Sequence, residues 1–277
     1  MAEFQGNIEK MTALLPEAGG AVEYALPIGG DSVGLNGFLG EEVRLEFLGE
    51  INCIHCGRKT NKSFNQGYCF PCMKKLAECD QCIVRPELCH FHLDTCRDPE
   101  WAEHHCFMPH TVYLANSSGL KVGITRNTQI PTRWIDQGAS QAIPVFHVDT
   151  RHQSGLVEDA LKAFVTDKTD WRKMLKGVPD PLDMRAERER ILEEAGEVIN
   201  RLRGAYGDEA VGALLAEEPV SIEYPVSVYP EKVNSLNLDK DPVIESRLQG
   251  IKGQYLIFEA GVINLRKYGG YQLKLVA

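Results

Sequence analysis

The sequence predicts an α+β protein in which a zinc-ribbon or treble-clef-like module leads directly into a small α/β domain. All nine cysteines lie between Cys53 and Cys106, with three pairs at Cys-x2-Cys spacing. Strand-like runs occur toward both ends of the chain, as in Val43 to Leu48, where apolar and charged residues alternate. The predicted domains are an N-terminal β segment (1–52), a cysteine-rich zinc module (53–109), an α/β domain (110–178), a helical linker (179–218) and a C-terminal β segment (219–277).

Length and charge limit the classes of function that the chain can have. Its 277 residues suffice for two or three domains, each with its own core. The net charge of −9 does not favour a protein that coats nucleic acid by bulk electrostatics. No run approaches the roughly 18 apolar residues of a membrane span, and Met1 to Gly20 lacks the pattern of a secretory signal. We therefore expect a cytoplasmic protein without a membrane partner, whose odd number of cysteines indicates metal ligands rather than disulfides.

The first four cysteines predict a structural zinc site. Cys53 and Cys56 form one Cys-x2-Cys pair, and Cys69 and Cys72 form another after twelve residues. Each pair offers two thiolates to one ion, and a hairpin between the pairs closes a tetrahedral site. The other explanation, four buried free cysteines, does not account for this spacing.

The remaining cysteines predict a second zinc ion whose ligand set the sequence leaves open. Cys79 and Cys82 form a third pair at the same spacing. The preferred partners are Cys89, Cys96 and Cys106, in that order, and the histidines that compete with them are His90, His92, His104 and His105. We expect one or two zinc ions with a structural role, since sites made of cysteine alone are usually closed to substrate.

The segment after the cysteines carries the clearest indications of chemistry. Two short strands, Thr111 to Tyr113 and Lys121 to Gly123, flank a turn. Pro131 to Trp134 opens a helix, and a further strand follows. Ser154 is then expected to cap a second helix, which contains Glu158.

This order of motifs resembles the GIY-YIG endonuclease superfamily, in particular its divergent branches. By that resemblance Tyr113 corresponds to the tyrosine of the first motif and Gly123 to the glycine of the second. Arg133 corresponds to the helix arginine and Glu158 to the metal-binding glutamate, while Lys121 stands where the second tyrosine belongs. The resemblance implies a Mg²⁺- or Mn²⁺-dependent nuclease that acts on DNA or RNA.

The whole chain is also similar to an uncharacterised bacterial family, domain of unknown function 2797. Two runs carry the similarity, Lys121 to Arg126 and Arg133 to Ala139. Because the family has no settled activity, the similarity supports the architecture more than the function.

The four matched side chains can be given roles in phosphodiester hydrolysis. Glu158 could hold Mg²⁺ through one carboxylate, with water completing the coordination shell. Arg133 could contact two phosphate oxygens at once. Tyr113, with an unperturbed pKa of about 10, is a poor base at neutral pH unless a cation such as Lys121 lowers that pKa.

The assignment of Lys121 depends on the register of the predicted hairpin. A three-residue loop, Ser117 to Gly119, pairs Tyr113 with Gly123 and puts Lys121 on the same face as Tyr113. A two-residue loop would put Tyr113 and Lys121 on opposite faces. We expect the three-residue loop if the two side chains act together.

Each of these residues also has a purely structural explanation. Tyr113 could be a strand aromatic, and Arg133 could pair with a neighbour along its helix. Glu158 could lie in a first helical turn, where the helix dipole favours acids. Further candidates are His147, Asp136 and Gln137, and an exposed C-terminal set that could stack on nucleic acid, namely Gln254, Tyr255, Arg266, Lys267 and Tyr268.

The function that the sequence favours is a zinc-stabilised nucleic-acid-processing protein whose chemistry is phosphodiester hydrolysis. The alternative is a non-enzymatic, zinc-dependent module that binds nucleic acid or protein on a degenerate nuclease fold. A protein–protein adaptor is the third hypothesis. The choice between DNA and RNA and the oligomeric state are open at this point.

Overall fold

The computed structural model describes residues 2–277 and arranges their strands in three antiparallel sheets. The strands are β1 (Glu3–Asn7), β2 (Thr12–Leu14), β3 (Glu23–Ile28), β4 (Asp31–Gly34), β5 (Glu42–Ile51), β6 (His110–Asn116), β7 (Leu120–Arg126), β8 (Gln141–Val148), β9 (Val211–Ala213), β10 (Val220–Ser221), β11 (Val243–Lys252), β12 (Tyr255–Phe258), β13 (Gly261–Asn264) and β14 (Tyr271–Val276). The helices are α1 (Phe70–Lys75), α2 (Pro99–His105), α3 (Thr132–Asp136), α4 (Arg151–Leu161), α5 (Trp171–Leu175), α6 (Met184–Glu194) and α7 (Gly196–Tyr206). Within this part of the chain, no helix combines the length and the apolar character that crossing a membrane requires.

Strands from both ends of the chain form one six-stranded sheet. Its order is β1-β14-β5-β11-β12-β13, and every neighbouring pair is antiparallel. The last strand, β14, lies between β1 and β5, and the backbones of Ala2 and Ala277 hydrogen-bond to each other. This sheet shares a core with the small sheet β2-β3-β4. The first and last β segments therefore pair as one unit, with the rest of the chain inserted between them.

The central sheet lies between that unit and the helices. Its order is β10-β8-β6-β7. Strand β9 pairs with the same edge of β8 as β10 does, opposite β6. All seven residues of β6 are buried. Val112 and Leu114 pack with α4, α6 and α7, whereas Tyr113 and Ala115 belong to the core of the terminal sheets. Strand β6 thus joins the two main cores, because its alternating side chains point into both.

The hairpin of β6 and β7 has the three-residue loop, the one of the two possible loops on which the assignment of Lys121 depends. Tyr113 is paired with Gly123, and the loop consists of Ser117 to Gly119, with Gly119 at φ +136°. Lys121 pairs with Ala115, one pleat from Tyr113 and on the same face of the sheet. The condition for Tyr113 and Lys121 to lie together is met.

The prediction that Ser154 caps its helix is wrong. Helix α4 begins one turn earlier, where the Thr150 side chain accepts from the Gln153 N–H and the Gln153 side chain accepts from the Thr150 N–H. This reciprocal pair is a capping box. Ser154 lies inside the helix and donates to the Arg151 carbonyl. Glu158 is consequently beyond the first turn, so the helix dipole does not explain an acid at that position.

The helical linker is anchored by one buried arginine. Arg188 on α6 is 5% exposed and donates to three backbone carbonyls, those of Leu214, Leu215 and Glu217, at 2.7–2.8 Å. Two residues along the same helix, Arg190 is partly exposed and pairs with Glu187 and Glu194. Arg188 thus holds the linker through a buried side chain, whereas Arg190 makes only ion pairs at the surface.

We predict that Arg188→Met lowers the free energy of unfolding by about 1–3 kcal/mol, because three backbone carbonyls lose the charged donor that the buried arginine supplies. Arg190→Met should change it by no more than about 0.5 kcal/mol, as exposed ion pairs contribute little. Urea denaturation followed by circular dichroism measures both variants. Equal effects of the two substitutions would contradict the anchoring role.

Candidate metal centre and basic groove

Four cysteines come together at the junction of β5 and α1. The side chains of Cys53, Cys56, Cys69 and Cys72 place their sulfur atoms within 4.8 Å of one another. After Cys53 the chain makes a tight turn in which the Gly57 N–H donates to the Cys53 carbonyl at 2.8 Å. Cys69 then precedes α1, and Cys72 lies in its first turn. This arrangement of turn, hairpin and helix brings both Cys-x2-Cys pairs to one point.

The electrostatics of this cluster favour a cation. Burial raises the pKa of Cys53. Hydrogen bonds from the backbone N–H groups of Cys56, Cys69 and His55 outweigh this effect and lower the pKa to about 6. Burial and hydrogen bonding with the other three thiols raise the pKa of Cys72 to about 12. Four thiols this close cannot all ionise unless a cation compensates their charge. The four sulfurs could bind zinc, which prefers four such ligands in a tetrahedron.

The other five cysteines divide between two places. Four of them border a small cavity of about 30 Å³, and we refer to these as the second cysteine set: Cys82, Cys89, Cys96 and Cys106. Cys79 instead lines a larger cavity beside Tyr68 and Asn65. Although Cys79 and Cys82 have the spacing of a ligand pair, their side chains line different cavities.

A groove of about 480 Å³, which we call the basic groove, runs between α4, β7 and the cysteine-rich segment. It continues into the larger cavity next to Cys79, since Lys10, Arg133 and Arg266 line both. Seven basic and three acidic side chains line it, on a chain whose net charge is −9. The basic ones are Lys10, Lys121, Arg126, Arg133, Arg151, Lys162 and Arg266, and the acidic ones are Asp136, Glu158 and Asp167.

Three of the four residues proposed for catalysis meet in this groove. Lys121, Arg133 and Glu158 line it, from β7, α3 and α4 respectively. Tyr113 does not line it, because its side chain is fully buried beneath Gly123. Gly123 forms the adjacent part of the groove wall.

Tyr113 is a neutral phenol rather than a base in this structure. Burial raises its pKa to about 12, and the charge of Arg133 only partly opposes the rise. Lys121, proposed as the cation that lowers this pKa, is not one of the groups that shift it. Within residues 2–277 the Tyr113 hydroxyl has no hydrogen-bond partner. This hydroxyl is neutral at physiological pH and enclosed by protein, so it does not contact a ligand in the groove directly.

The two cations differ in how they are held. Lys121 is 6% exposed and its Nζ donates to Thr169 Oγ1 at 3.3 Å. Burial, followed by the charge of Arg133, lowers the pKa of Lys121 to about 8. Arg133 has no ion-pair partner among the described residues, because the nearby Asp136 pairs with Lys10 and accepts from Gln254. The expected pairing of Arg133 along its helix is therefore absent from these residues, and its guanidinium faces the groove.

Glu158 is half-buried on the groove side of α4. Burial raises its pKa, the charge of Lys162 lowers it, and the charge of Asp167 raises it again. The next residue, Asp159, is exposed and ion-pairs with Lys162 at the surface. A carboxylate that is partly desolvated beside another acid is a plausible ligand for a divalent cation.

The remaining sequence candidates fall outside this arrangement or support it indirectly. Gln137 lines the groove, and its buried Oε1 has no partner within residues 2–277, whereas His147 lies on β8 away from it. We expected the C-terminal set to be exposed, but only part of it is. Gln254 and Tyr268 are buried, and Tyr255, Lys267 and Tyr268 line a separate cavity of about 400 Å³. Of that set, only Arg266 reaches the basic groove.

Sequence reasoning missed most of the groove cations. Arg126, Arg151 and Lys162 were not singled out as site residues, and Lys10 comes from the opposite end of the chain to Arg266. No local pattern marks these residues, because only the tertiary fold brings them together. Asp167, which no sequence pattern marked as a site residue, also lines the groove near Glu158.

Comparison with known proteins gives one family match. A family model described as "Protein of unknown function (DUF2797)" matches residues 40–273, which include both the cysteine cluster and the basic groove apart from Lys10. Neither the curated proteins nor the solved structures gave a match.

We predict that Gly123→Ala lowers the free energy of unfolding by about 1–3 kcal/mol, the usual cost of overpacking a core. A Cβ at this position would lie 2.6 Å from the Tyr113 hydroxyl oxygen, and the buried ring packs against Trp134 and cannot easily move. Gly212→Ala on β9 is the matched control, since nothing lies within 4 Å of its Cβ. Thermal or urea denaturation measures both. An unchanged stability of Gly123→Ala would show that Tyr113 does not pack as described.

Proposed function

The chain belongs to the DUF2797 family, whose description assigns no activity, and we propose from the groove itself that the protein binds nucleic acid and cleaves a phosphodiester bond. The observation that carries this proposal is the meeting of Lys121, Arg133 and Glu158 in a groove with an excess of basic side chains. A local positive surface on an acidic protein favours binding of a polyanion at that surface and not elsewhere on the protein. The structural zinc ion that we propose at Cys53–Cys72 stabilises the module beside the groove.

Unpartnered donors at the groove support binding of phosphate. Arg133 has no carboxylate partner among the described residues, and the buried Nε of Arg151, which also lines the groove, has no acceptor there. Leaving a buried donor without an acceptor costs about 1–3 kcal/mol. Phosphate oxygens would satisfy these donors, and Arg133 is suited to contact two of them.

Glu158 provides the group that cleavage needs in addition to phosphate binding. We propose that its carboxylate holds one Mg²⁺ or Mn²⁺, with water and phosphate oxygens as the other ligands. The metal ion would supply positive charge for the oxygens of the phosphate as the bond breaks. Arg133 would add to that charge from the opposite element, α3. The raised pKa of Glu158 is consistent with a carboxylate that lacks its cation.

The resemblance to GIY-YIG endonucleases supports the same assignment. Tyr113, Gly123, Arg133 and Glu158 are the positions that carry the resemblance. The observed pairing of Tyr113 with Gly123 is the register that puts Lys121 on the tyrosine's face, in the place of the second tyrosine. We propose that Lys121 takes over contact with phosphate there.

Binding without cleavage is the second candidate, and one observation favours it. Tyr113 is fully buried and has a pKa of about 12, so it cannot accept a proton from a water nucleophile at neutral pH. If no other group does so, the groove would hold nucleic acid without hydrolysing it. Its affinity would still fall steeply with salt, which separates this candidate from a protein–protein adaptor.

We predict that the wild-type protein cleaves labelled DNA or RNA with Mg²⁺ or Mn²⁺, and that Glu158→Gln abolishes cleavage because the amide cannot replace the carboxylate as a metal ligand. Asp159→Asn is the matched control, since Asp159 is the adjacent acid on α4 but does not line the groove. This control should cleave at the wild-type rate. Gel assays over a range of single-stranded and duplex substrates make the comparison.

The outcomes separate the candidate functions. Salt-sensitive binding without cleavage, equal in the wild type and Glu158→Gln, would replace the nuclease by the binding module. Failure to bind DNA or RNA at low salt would contradict both, and would leave the adaptor hypothesis. Equal loss of cleavage in Asp159→Asn would show that Glu158 has no special role.

We further predict that affinity for nucleic acid falls as pH rises from 7 to 9. Lys121, with a pKa of about 8, is charged below this range and neutral above it, so its attraction to phosphate is complete at low pH and lost at high pH. If the charge of Lys121 contributes roughly 1.4 kcal/mol to the binding free energy, its loss lowers the affinity about tenfold. Lys121→Met should remove this pH dependence. Lys162→Met should weaken binding but keep its pH dependence, because nearby carboxylates hold the pKa of Lys162 above its ordinary value. Fluorescence anisotropy with a labelled oligonucleotide measures all three proteins, and a pH dependence that persists in Lys121→Met would contradict the assignment.

A further inference from the structure

We propose that the second cysteine set binds a second zinc ion and that Cys79 is not one of its ligands. The four cysteines come from separate turns around α2. Cys82 lies in the turn Gln81–Ile83, Cys89 follows the turn Pro86–Leu88, and Cys96 and Cys106 flank α2. All of them border one cavity of about 30 Å³, which is large enough for a single water-sized occupant. No three of their sulfur atoms lie within 4.8 Å of one another, unlike those of the first four cysteines, so a zinc ion would draw the thiols together around this space.

The segment that contains these cysteines needs a source of stability other than a hydrophobic core. Between residues 77 and 109 the buried apolar side chains are small, such as Ala77 and Ala102. Among the larger ones, Ile83, Phe91 and Trp101 are only half-buried. Four others are 44–75% exposed, namely Val84, Leu88, Leu93 and Phe107. A segment that buries so little apolar surface cannot offset the entropy of ordering its backbone. Metal binding supplies that free energy directly, because the ligands are brought together only in the folded state.

The other metal-ligand side chains at the cavity are already engaged. Asp80, Cys82 and His90 place ligand atoms within 4.8 Å of one another. However, His90 Nδ1 lies 2.7 Å from Thr95 Oγ1, and its Nε2 lies 3.5 Å from Asp80 Oδ1. Arg97 Nε lies 2.6 Å from the second oxygen of Asp80. Because these groups satisfy one another, the cysteines are the ligands that remain for an ion.

The charge around the cavity suits a site of four thiolates. Zn²⁺ with four thiolates carries two negative charges, which nearby cations must offset. The backbone N–H of Arg151 donates to the Cys106 carbonyl at 2.8 Å, and its guanidinium donates to the carbonyl of Ile83, next to Cys82. Arg151 thus lies beside the cavity, where its charge can compensate a thiolate.

The proposed ion would fix one wall of the basic groove. Arg151 on α4 donates to the carbonyl of Ile83 and its backbone N–H donates to the carbonyl of Cys106 at 2.8 Å. His152 Nδ1 donates to the carbonyl of Pro86 at 3.1 Å. Ile83 and Pro86 line the groove, and both lie within four residues of a proposed ligand. The second zinc ion would therefore hold the wall that faces Glu158.

The test is the number of zinc ions per chain, measured by plasma mass spectrometry on the full-length protein after dialysis against zinc-free buffer. We expect two for the wild type, one for Cys96→Ser, one for Cys69→Ser and none for the double variant. Cys79→Ser is the matched control and should keep two. This count does not depend on whether the groove binds nucleic acid, so it can fail or succeed independently of the proposed function.

One ion in the wild type would overturn the proposal, as would two ions retained in Cys96→Ser or one lost in Cys79→Ser. If Cys96→Ser does not fold, cobalt titration of the metal-free wild-type protein decides the question. Two equivalents of Co²⁺, both with intense thiolate charge-transfer absorption, would support two cysteine sites. Saturation at one equivalent would reject the second.

Discussion

The ring of Tyr113 packs over the bare Cα of Gly123, its partner across the β6–β7 hairpin, and much of the site depends on this contact. A side chain at position 123 would occupy the space of the ring, so the glycine lets the tyrosine lie flat beneath the groove wall. The pairing also fixes the register of the hairpin, and register decides which side chains share a face. Lys121 points to the groove for that reason. Because β6 is buried on both faces, its side chains pack against the helices on one face and against the terminal sheets on the other.

The groove itself exists because three parts of the chain meet without sharing a continuous core. The cysteine-rich segment contacts the terminal sheet at one end, where Ser63 Oγ donates to the Gly269 carbonyl at 3.2 Å, shortly before β14. At its other end it packs against α4, where a Cβ on Gly155 would lie 2.5 Å from the Glu87 nitrogen. Contact this close leaves little freedom for the two to slide. The space between these attachments is the groove, and its shape therefore depends on how rigidly the cysteine-rich segment is held.

The sequence indicated the features that rest on local chemistry. The spacing of Cys53, Cys56, Cys69 and Cys72 predicted a cluster that the structure contains. For the hairpin, the sequence left two registers open, and the structure has the three-residue loop. Thr150 was missed although Thr-x-x-Gln is a capping-box pattern, because Ser154 is an equally good cap by residue type. The burial of Tyr113, the separation of Cys79 from Cys82 and the convergence of Lys10 with Arg266 were beyond sequence reasoning. Each depends on contacts between segments far apart in the chain, for which spacing gives no signal.

The position of β14 between β1 and β5 has a consequence for how the protein is made. During synthesis the N-terminal strands leave the ribosome first, but the sheet that they belong to cannot close until residues 271–276 have followed. The cysteine-rich segment and the central hairpin rely on nearer contacts and can fold earlier, as domains do when they emerge in sequence. In that interval β1 and β5 present unpaired edges, the kind of surface on which strands of other chains assemble. Nascent chains of this protein would thus be most vulnerable to aggregation, and most in need of chaperones, until β14 has emerged to pair with β1 and β5.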